Sequence, residues 1–171
     1  MRIGLFGGSF DPVHLGHLYL AQTLKKQCNL DKVIVFPARV SPFKLMNPPK
    51  ASGKERMEML HLAFADEKWV EFSSCELERE GASYTIDTIR EMKKKYLQDE
   101  LYLLLSQDSQ ERFLEWKESE EIQKICSVVF GDIKKGVSST CIRDLLKRGK
   151  QCENFLSPKV LDYIRKKELY S

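Results

Sequence analysis

Short apolar segments recur along the chain, and their pattern predicts the strands of a parallel β-sheet. Each segment is four or five residues long, and two are nearly continuous in apolar residues. That pattern is typical of parallel strands covered on both faces. The predicted strands span residues 2–6, 32–36, 69–72, 101–105 and 127–130.

The segments between these strands have the periodicity of amphipathic helices. After the third strand, for example, Ile86, Ile89 and Met92 recur at the spacing of one helix face, and residues 111–125 are predicted to be helical after the fourth. Alternating strands and helices predict an α/β, single-domain, doubly wound Rossmann-like parallel sheet over residues 1–171. Ligands of such sheets bind beyond the carboxyl ends of the strands.

A small helical segment is predicted to complete the C-terminus. One helix follows residues 137–140, and another begins at Ser157 and Pro158, an N-cap residue followed by proline at the first helical position. Residues 42–54 hold three prolines and one glycine, which predicts a mobile loop rather than a domain linker.

Composition and charge exclude several classes of partner. The formal net charge of +3 is small, and no aromatic–basic platform indicates nucleic acid. No apolar stretch approaches the roughly 20 residues of a membrane span. The five cysteines are odd in number and show no CxxC spacing, which favours reduced thiols in the cytoplasm over disulfides or a zinc site.

The strongest chemical signal is residues 7–17, GGSFDPVHLGH, which follow the first strand directly. Two glycines are predicted to let the backbone turn sharply and to let a phosphate approach its N–H groups. The helix that starts next presents free N–H donors and a positive dipole end. His14 and His17 share a helix face, and imidazoles can donate hydrogen bonds to phosphate oxygens.

Other interpretations of the two histidines stay open at this point. They could form half of a metal site, or they could be ordinary capping or core residues. The third histidine, His61, lies in an apolar helix pattern and is predicted to be structural. Asp11 is predicted to serve a turn or a cap rather than a metal.

A second signal lies near the C-terminus, where hydroxyl residues precede an arginine. Ser138, Ser139 and Thr140 can cap the N-terminus of a helix and share its N–H groups with a phosphate. Arg143 projects from the same turn, and its planar guanidinium matches phosphate geometry. This segment is therefore predicted to form the far wall of a triphosphate site.

These motifs resemble the nicotinate mononucleotide adenylyltransferase family, whose signatures are GGSFDPxHxGH and a late S[ST]xxR. The resemblance covers most of the chain. Residues 37–44 resemble the family's PxxxPPHK loop, residues 56–60 its RxxML helix, and residues 76–88 its ExxRxGxSYTxDT segment.

The resemblance implies transfer of AMP from ATP to nicotinate mononucleotide, with Mg²⁺ accompanying ATP and no metal site of the protein's own. It leaves homo-oligomerisation open. The implied catalytic residues are His14, His17, Lys44 and Arg143. The implied ATP-binding residues are Gly7, Gly8, Ser9, Phe10, Asp108, Ser138, Ser139 and Thr140. The implied acceptor-binding residues are Thr85 and Trp116, whose indole would stack on the pyridine ring.

Three departures from the family pattern bear on activity. Phe43 replaces the histidine of the PPHK loop, Ser106 replaces the glycine of the GAD segment, and the crossover at residues 131–136 is short. Two alternatives therefore stay open beside the leading function. One is adenylyl transfer to another acceptor such as nicotinamide mononucleotide, and the other is a non-catalytic nucleotide-binding relative.

Overall fold

Five parallel strands form the centre of the fold, in the order β3-β2-β1-β4-β5. The computed structural model describes residues 1–133 and 137–171. All five predicted strands are confirmed, each within two residues at either end. They are β1 (Arg2–Gly8), β2 (Lys32–Pro37), β3 (Val70–Phe72), β4 (Glu100–Ser106) and β5 (Ser127–Gly131).

The strand order changes direction between β1 and β4, which are neighbours in the sheet. From β1 the chain adds strands toward one edge, and from β4 it adds them toward the other. A crevice opens at such a switch point, outside the carboxyl ends of the strands. The motif at residues 7–17 begins at the carboxyl end of β1, so the fold places it where doubly wound sheets bind ligands.

Helices cover both faces of the sheet, as the alternation of elements predicts. In the described ranges they are α1 (Leu15–Gln27), α2 (Gly53–Ala63), α3 (Cys75–Glu78), α4 (Thr85–Lys95), α5 (Ser119–Ile125), α6 (Ser139–Lys147) and α7 (Pro158–Lys166). None of these helices is both long and apolar enough to cross a membrane. Both predicted C-terminal helices are confirmed, and Ser157 caps α7 through its side chain.

Alternate residues of the strands pack into two separate hydrophobic clusters, one on each face of the sheet. Phe6, Val33 and Val35 pack on one side of the sheet with α1, α2, α6 and α7. Leu5 and Ile34 pack on the other side with α4 and α5. The period-two alternation of strand side chains thus divides the core between the two faces.

The continuous helix predicted over residues 111–125 is wrong. A 3-10 turn at Phe113–Glu115 ends at Trp116, which has an extended backbone, and Glu118 adopts a left-handed conformation with φ 54°. These two breaks stop any helix from propagating before α5 begins at Ser119. The segment contributes to the rim of the crevice instead. Residues 42–54 likewise contain a short turn at Pro42–Lys44 before α2 starts.

Candidate active site

β1 runs straight through the two glycines that the sequence predicts to form a turn, so that prediction is wrong. Gly7 pairs with Phe36 across the sheet, and Gly8 pairs with Pro37. Space requires glycine here, because a Cβ on Gly7 would lie 2.4 Å from the Phe36 ring. The chain turns at Phe10 instead, whose φ is 47°. At Gly7 and Gly8 the backbone of β1 therefore lines the crevice without a side chain.

The Phe10 ring belongs to the core rather than to the ATP site. It is 1% exposed and packs edge-on against Phe6 and His17, with ring centroids 5.4 and 4.9 Å away. A contact between Phe10 and ATP is therefore limited to the backbone. The ring supports His17 from behind.

His14 and His17 stack on each other at the start of α1, with ring centroids 3.7 Å apart. His14 is the N-cap of the helix, and its backbone N–H donates to Nδ1 of His17 over 3.2 Å. Because Nδ1 accepts this bond, the neutral ring of His17 carries its proton on Nε2. His17 therefore has one N–H donor that is not used by the motif itself.

Gly16 provides the room for this stacked pair. A Cβ at this position would lie 3.0 Å from the ring of His14 and 2.7 Å from Cγ2 of Ile133. Contacts that short require a neighbour to move, so any larger residue would displace the histidine. The glycine between the two histidines is thus a packing requirement.

Burial lowers the pKa of both imidazoles. The pKa of His14 falls to about 4 because its side chain is removed from water. Burial also lowers the pKa of His17 well below its usual range, with smaller contributions from His14 and from the Lys44 cation. Both rings are therefore neutral at pH 7, and the charge of nearby phosphates would raise both pKa values.

The lowered pKa values of His14 and His17 predict that the protein loses stability as the solution is acidified. Unfolded histidine titrates at a pKa near 6.5, so between about pH 6.5 and pH 4 the unfolded chain binds more protons than the folded one. Acidification across that window should cost about 3 kcal/mol of unfolding free energy through His14, and His17 acts in the same direction. Urea denaturation at several pH values measures the slope. His14→Gln should reduce the dependence of the unfolding free energy on pH. An unchanged dependence would show that the lowered pKa of His14 does not cause it.

Two cations converge on the motif from other elements. Nζ of Lys44 donates to Oγ of Ser9 over 3.1 Å. Nη1 of Arg143 donates to the carbonyl of Asp11 over 2.7 Å, and Nη2 to Oγ1 of Thr140 over 3.3 Å. Burial lowers the pKa of Lys44, and the Arg143 guanidinium lowers it further. The two charges repel each other in the absence of an anion, which favours binding of a phosphate.

The N-terminus of α6 docks directly on the motif. Oγ of Ser139 donates to the carbonyl of Pro12 over 2.8 Å. Oγ of Ser138 accepts from the backbone N–H of Cys141, which confirms the predicted cap. With Thr140 accepting from Arg143, each of the three hydroxyls already has a partner within the protein.

Asp11 joins the motif to two distant parts of the chain. Its buried carboxylate accepts from the backbone N–H groups of Lys50 and Ala51, and from the hydroxyl of Tyr170 over 2.8 Å. Arg143 lies 3.7 Å from the same carboxylate. Asp11 lies in a turn of the backbone, but its carboxylate makes neither the predicted turn bond nor a helix cap; it joins distant segments and fixes the position of a cation.

Arg56, the arginine of the segment that resembles the RxxML helix, belongs to the site, although the sequence gave it no role. It is 2% exposed, and its Nη1 donates to the carbonyls of Ser9 and Ala38, both over 2.7 Å. Its Nε donates to the carbonyl of Ala51. The guanidinium therefore holds three loops together beneath the crevice. The only signal in the sequence was its place in the segment that resembles the family's RxxML helix.

The crevice is a cleft of about 730 Å³ at the carboxyl ends of the strands. Eight of the residues predicted for the site line its wall, namely Gly7, Gly8, Ser9, His17, Lys44, Thr85, Asp108 and Trp116. The remaining six lie outside the described wall, behind or beside the motif: Phe10, His14, Ser138, Ser139, Thr140 and Arg143. His17 and Lys44 thus share one cleft with Thr85 and Trp116, whereas the segment of residues 138–143, predicted as the far wall of the site, does not line it.

Comparison with known proteins identifies the family. The cytidylyltransferase-like family matches residues 5–158. A probable nicotinate-nucleotide adenylyltransferase of Dictyoglomus thermophilum is 36% identical over 99% of this chain and 100% of the relative. A protein of the same description from Thermus thermophilus is 37% identical over the same shares. The chain belongs to the nicotinate-nucleotide adenylyltransferase family.

A solved structure of the family shares the fold. The Plasmodium falciparum nicotinic acid mononucleotide adenylyltransferase, in complex with NaAD, superposes with a TM-score of 0.78. The match covers 99% of this chain and 97% of that one at 19% identity. The Rossmann-like fold predicted from the sequence is thereby confirmed.

Aromatic residues form part of the cleft wall. Trp116 packs against Phe113 with ring centroids 5.6 Å apart, and it lines the cleft together with the first turn of α4. Tyr84 is the N-cap of α4, makes no side-chain cap bond and lies on the wall beside Thr85. The sequence pointed to Thr85 and Trp116 here but gave no role to Tyr84 or to Lys117, which also lines the wall.

Two of the three departures from the family pattern, Phe43 and Ser106, lie on the cleft wall. Phe43 is 46% exposed, and the Arg112 guanidinium lies 4.5 Å from its ring centroid. Oγ of Ser106 is 3.1 Å from Oγ of Ser109 at the end of β4. The short crossover begins where β5 ends at Gly131, and its residues 134–136 lie outside the described part of the chain.

Proposed function

We propose that this chain transfers AMP from ATP to nicotinate mononucleotide, producing nicotinate adenine dinucleotide and pyrophosphate for NAD biosynthesis. The observation that carries the proposal is a single cleft whose wall combines two chemically different groups of residues. His17 and Lys44 supply donors and positive charge, and Trp116 supplies an aromatic surface. The whole-length relatives carry the same activity in their names.

The chemistry needs no nucleophile from the protein. A phosphate oxygen of nicotinate mononucleotide attacks the α-phosphorus of ATP, and the bond from that phosphorus to the bridging oxygen of the β-phosphate breaks. Pyrophosphate leaves with the electron pair of that bond. The protein's task is to align the two phosphates and to stabilise the charge that builds on them.

The donors beside the start of α1 suit this task. Nε2–H of His17 is directed by the bond at Nδ1, and the first-turn N–H groups of α1 add the positive end of the helix dipole. Lys44 and Arg143 are placed by Ser9 and Asp11 respectively. We propose that these two cations hold the β- and γ-phosphates and stay with pyrophosphate as it forms.

Mg²⁺ enters this scheme as part of the nucleotide substrate. Residues 1–133 and 137–171 contain no group of three or more His, Cys, Asp or Glu side chains that could hold a metal ion. The Asp11 carboxylate is already engaged by three hydrogen bonds. We propose that the phosphates of ATP and water supply the ligands of Mg²⁺, which neutralises part of their charge.

The cysteines bear on the compartment in which the reaction takes place. The five cysteines are free thiols, and Cys141 alone among them is exposed. Free thiols persist best under reducing conditions, so we propose that the protein works in the cytoplasm.

Pyrophosphate release from Mg-ATP tests the proposal, with nicotinate mononucleotide and nicotinamide mononucleotide assayed side by side. We expect release with the acid at a kcat/KM at least about tenfold above that with the amide. Release with the amide alone would keep the reaction and replace the acceptor. No release with either acceptor, from folded protein that binds ATP, would favour the non-catalytic alternative.

A further inference from the structure

The segment that follows α7 turns back toward the motif of residues 7–17. Glu168 and Tyr170 both adopt left-handed backbone conformations, with φ 52° and φ 64°. Such conformations are costly for residues other than glycine and persist only where the surrounding contacts hold them. Glu168 directly follows the C-cap residue Lys167, a position at which helices commonly end in this conformation. Tyr170 has no such local reason, so its tertiary contacts account for its backbone.

The phenol of Tyr170 binds one oxygen of the Asp11 carboxylate. Its hydroxyl donates to Oδ1 over 2.8 Å, and the backbone N–H of Ala51 donates to the same oxygen over 3.0 Å. Oδ2 accepts from the backbone N–H of Lys50 and lies 3.7 Å from Nη1 of Arg143. The two oxygens thus have different tasks, because the phenol helps to hold Oδ1 while Oδ2 faces the cation.

Two guanidinium groups depend on this single carboxylate for nearby negative charge. Among the residues that the structure describes, no other carboxylate pairs with Arg143, and none pairs with Arg56. Burial lowers the pKa of Arg56, and the charge of Asp11 opposes that shift. Burial raises the pKa of Tyr170, and the Asp11 carboxylate raises it further, so the phenol stays a protonated donor at neutral pH.

We propose that Tyr170 is a positioning residue for adenylyl transfer, because its hydrogen bond orients the Asp11 carboxylate that holds Arg143. The role rests on the proposed function, in which Arg143 binds the β- and γ-phosphates of ATP. Without the phenol the carboxylate can rotate away from Arg143, whose remaining bond to the Asp11 carbonyl fixes only one nitrogen. Tyr170 does not line the described cleft wall, so it acts through these two residues rather than on the substrate.

Tyr170→Phe tests this role, because it removes the donor and keeps the ring. The Kd for inorganic pyrophosphate with Mg²⁺, measured by calorimetry, should rise about three- to tenfold. The KM for ATP should rise by the same factor, while the KM for nicotinate mononucleotide stays within about twofold of its original value. A role limited to folding would lower kcat through the loss of active protein and would leave all three constants unchanged.

Tyr163→Phe is the matched control, because it removes the same kind of bond from the same part of the chain. The Tyr163 hydroxyl donates to the carboxylate of Glu58 and so joins α7 to α2. This variant should lose stability much as Tyr170→Phe does, and it should bind pyrophosphate like the unsubstituted protein. Equal losses of pyrophosphate affinity in the two variants would reveal a general effect of the segment and would overturn the specific role of Tyr170.

A double substitution tests whether Tyr170 acts through Arg143. In an Arg143→Gln background, Tyr170→Phe should change the Kd for pyrophosphate by less than about twofold, because the cation that it orients is absent. An equal rise in both backgrounds, or an unchanged Kd after Tyr170→Phe alone, would overturn the role of Tyr170 while adenylyl transfer stands. If the unsubstituted protein binds neither ATP nor pyrophosphate, the proposed function fails, and the role of Tyr170 fails with it.

Discussion

Replacing His17 with alanine should lower kcat by about a hundred- to a thousandfold, because a preorganised donor to the reacting phosphates is lost. The ring lies at the cleft beside Phe10, and its Nδ1 is occupied by the His14 N–H. Its removal should change the free energy of unfolding by no more than about 1 kcal/mol. Steady-state kinetics and urea denaturation of the same preparation measure both effects.

Two further variants make this result specific. His17→Gln can present an amide N–H near the position of Nε2, so we expect it to recover part of the lost kcat. His61→Ala also removes an imidazole, but that ring packs against Phe72 with centroids 4.1 Å apart, away from the cleft wall. Its kcat should stay at the level of the unsubstituted protein. Full turnover by His17→Ala would show that His17 does not stabilise the reacting phosphates, and the proposed phosphate site would be wrong.

The largest effect on stability is expected from Asp11→Ala. The substitution leaves the N–H groups of Lys50 and Ala51 and the hydroxyl of Tyr170 without their acceptor. Each buried donor that loses its partner costs free energy, so the free energy of unfolding should fall by about 3 to 5 kcal/mol. Arg143 also loses its nearby carboxylate, and the KM for ATP should rise. Chemical denaturation and initial rates measure the two effects.

Tyr170→Phe is the matched control for this prediction. It removes only one of the bonds to Asp11 and keeps the aromatic ring, so it should cost about 1 kcal/mol. The difference in unfolding free energy between the two variants then measures the contribution of the Lys50 and Ala51 N–H groups and of Arg143. Equal losses in the two variants would mean that Asp11 acts through Tyr170 alone, and the proposed role as a hub would be wrong.

The strands and both phosphate motifs could be predicted because they depend on local patterns. A buried parallel strand must be short and apolar, and the motif after β1 must follow a strand and open a helix. The structure confirms the strands and the helices that begin at the two motifs. The pairing of Ser139 with the carbonyl of Pro12 then joins segments that are far apart in the chain. No local pattern carries that information, although the two motifs together pointed to it.

The wrong predictions share one physical cause, which is tertiary packing. The glycines of β1 are required by the rings of Phe36 and Phe10 rather than by a turn. The helical period before Ser119 is overridden by the left-handed conformation of Glu118. Arg56 was given no role because the motif in which it lies indicates a helix and not the partners of its side chain. Its role follows only from the carbonyls that the fold places around it.

Isotopic labelling of ATP distinguishes adenylyl transfer from the alternative reactions of ATP. The protein is incubated with Mg²⁺, nicotinate mononucleotide and ATP labelled at either the α- or the γ-phosphorus, and the products are separated. We expect the α label in the dinucleotide and the γ label in pyrophosphate. A γ label on the acceptor would show phosphoryl transfer instead. An α label found only in AMP or ADP, with the acceptor unchanged, would show hydrolysis. Either of these two results would rule out adenylyl transfer to nicotinate mononucleotide.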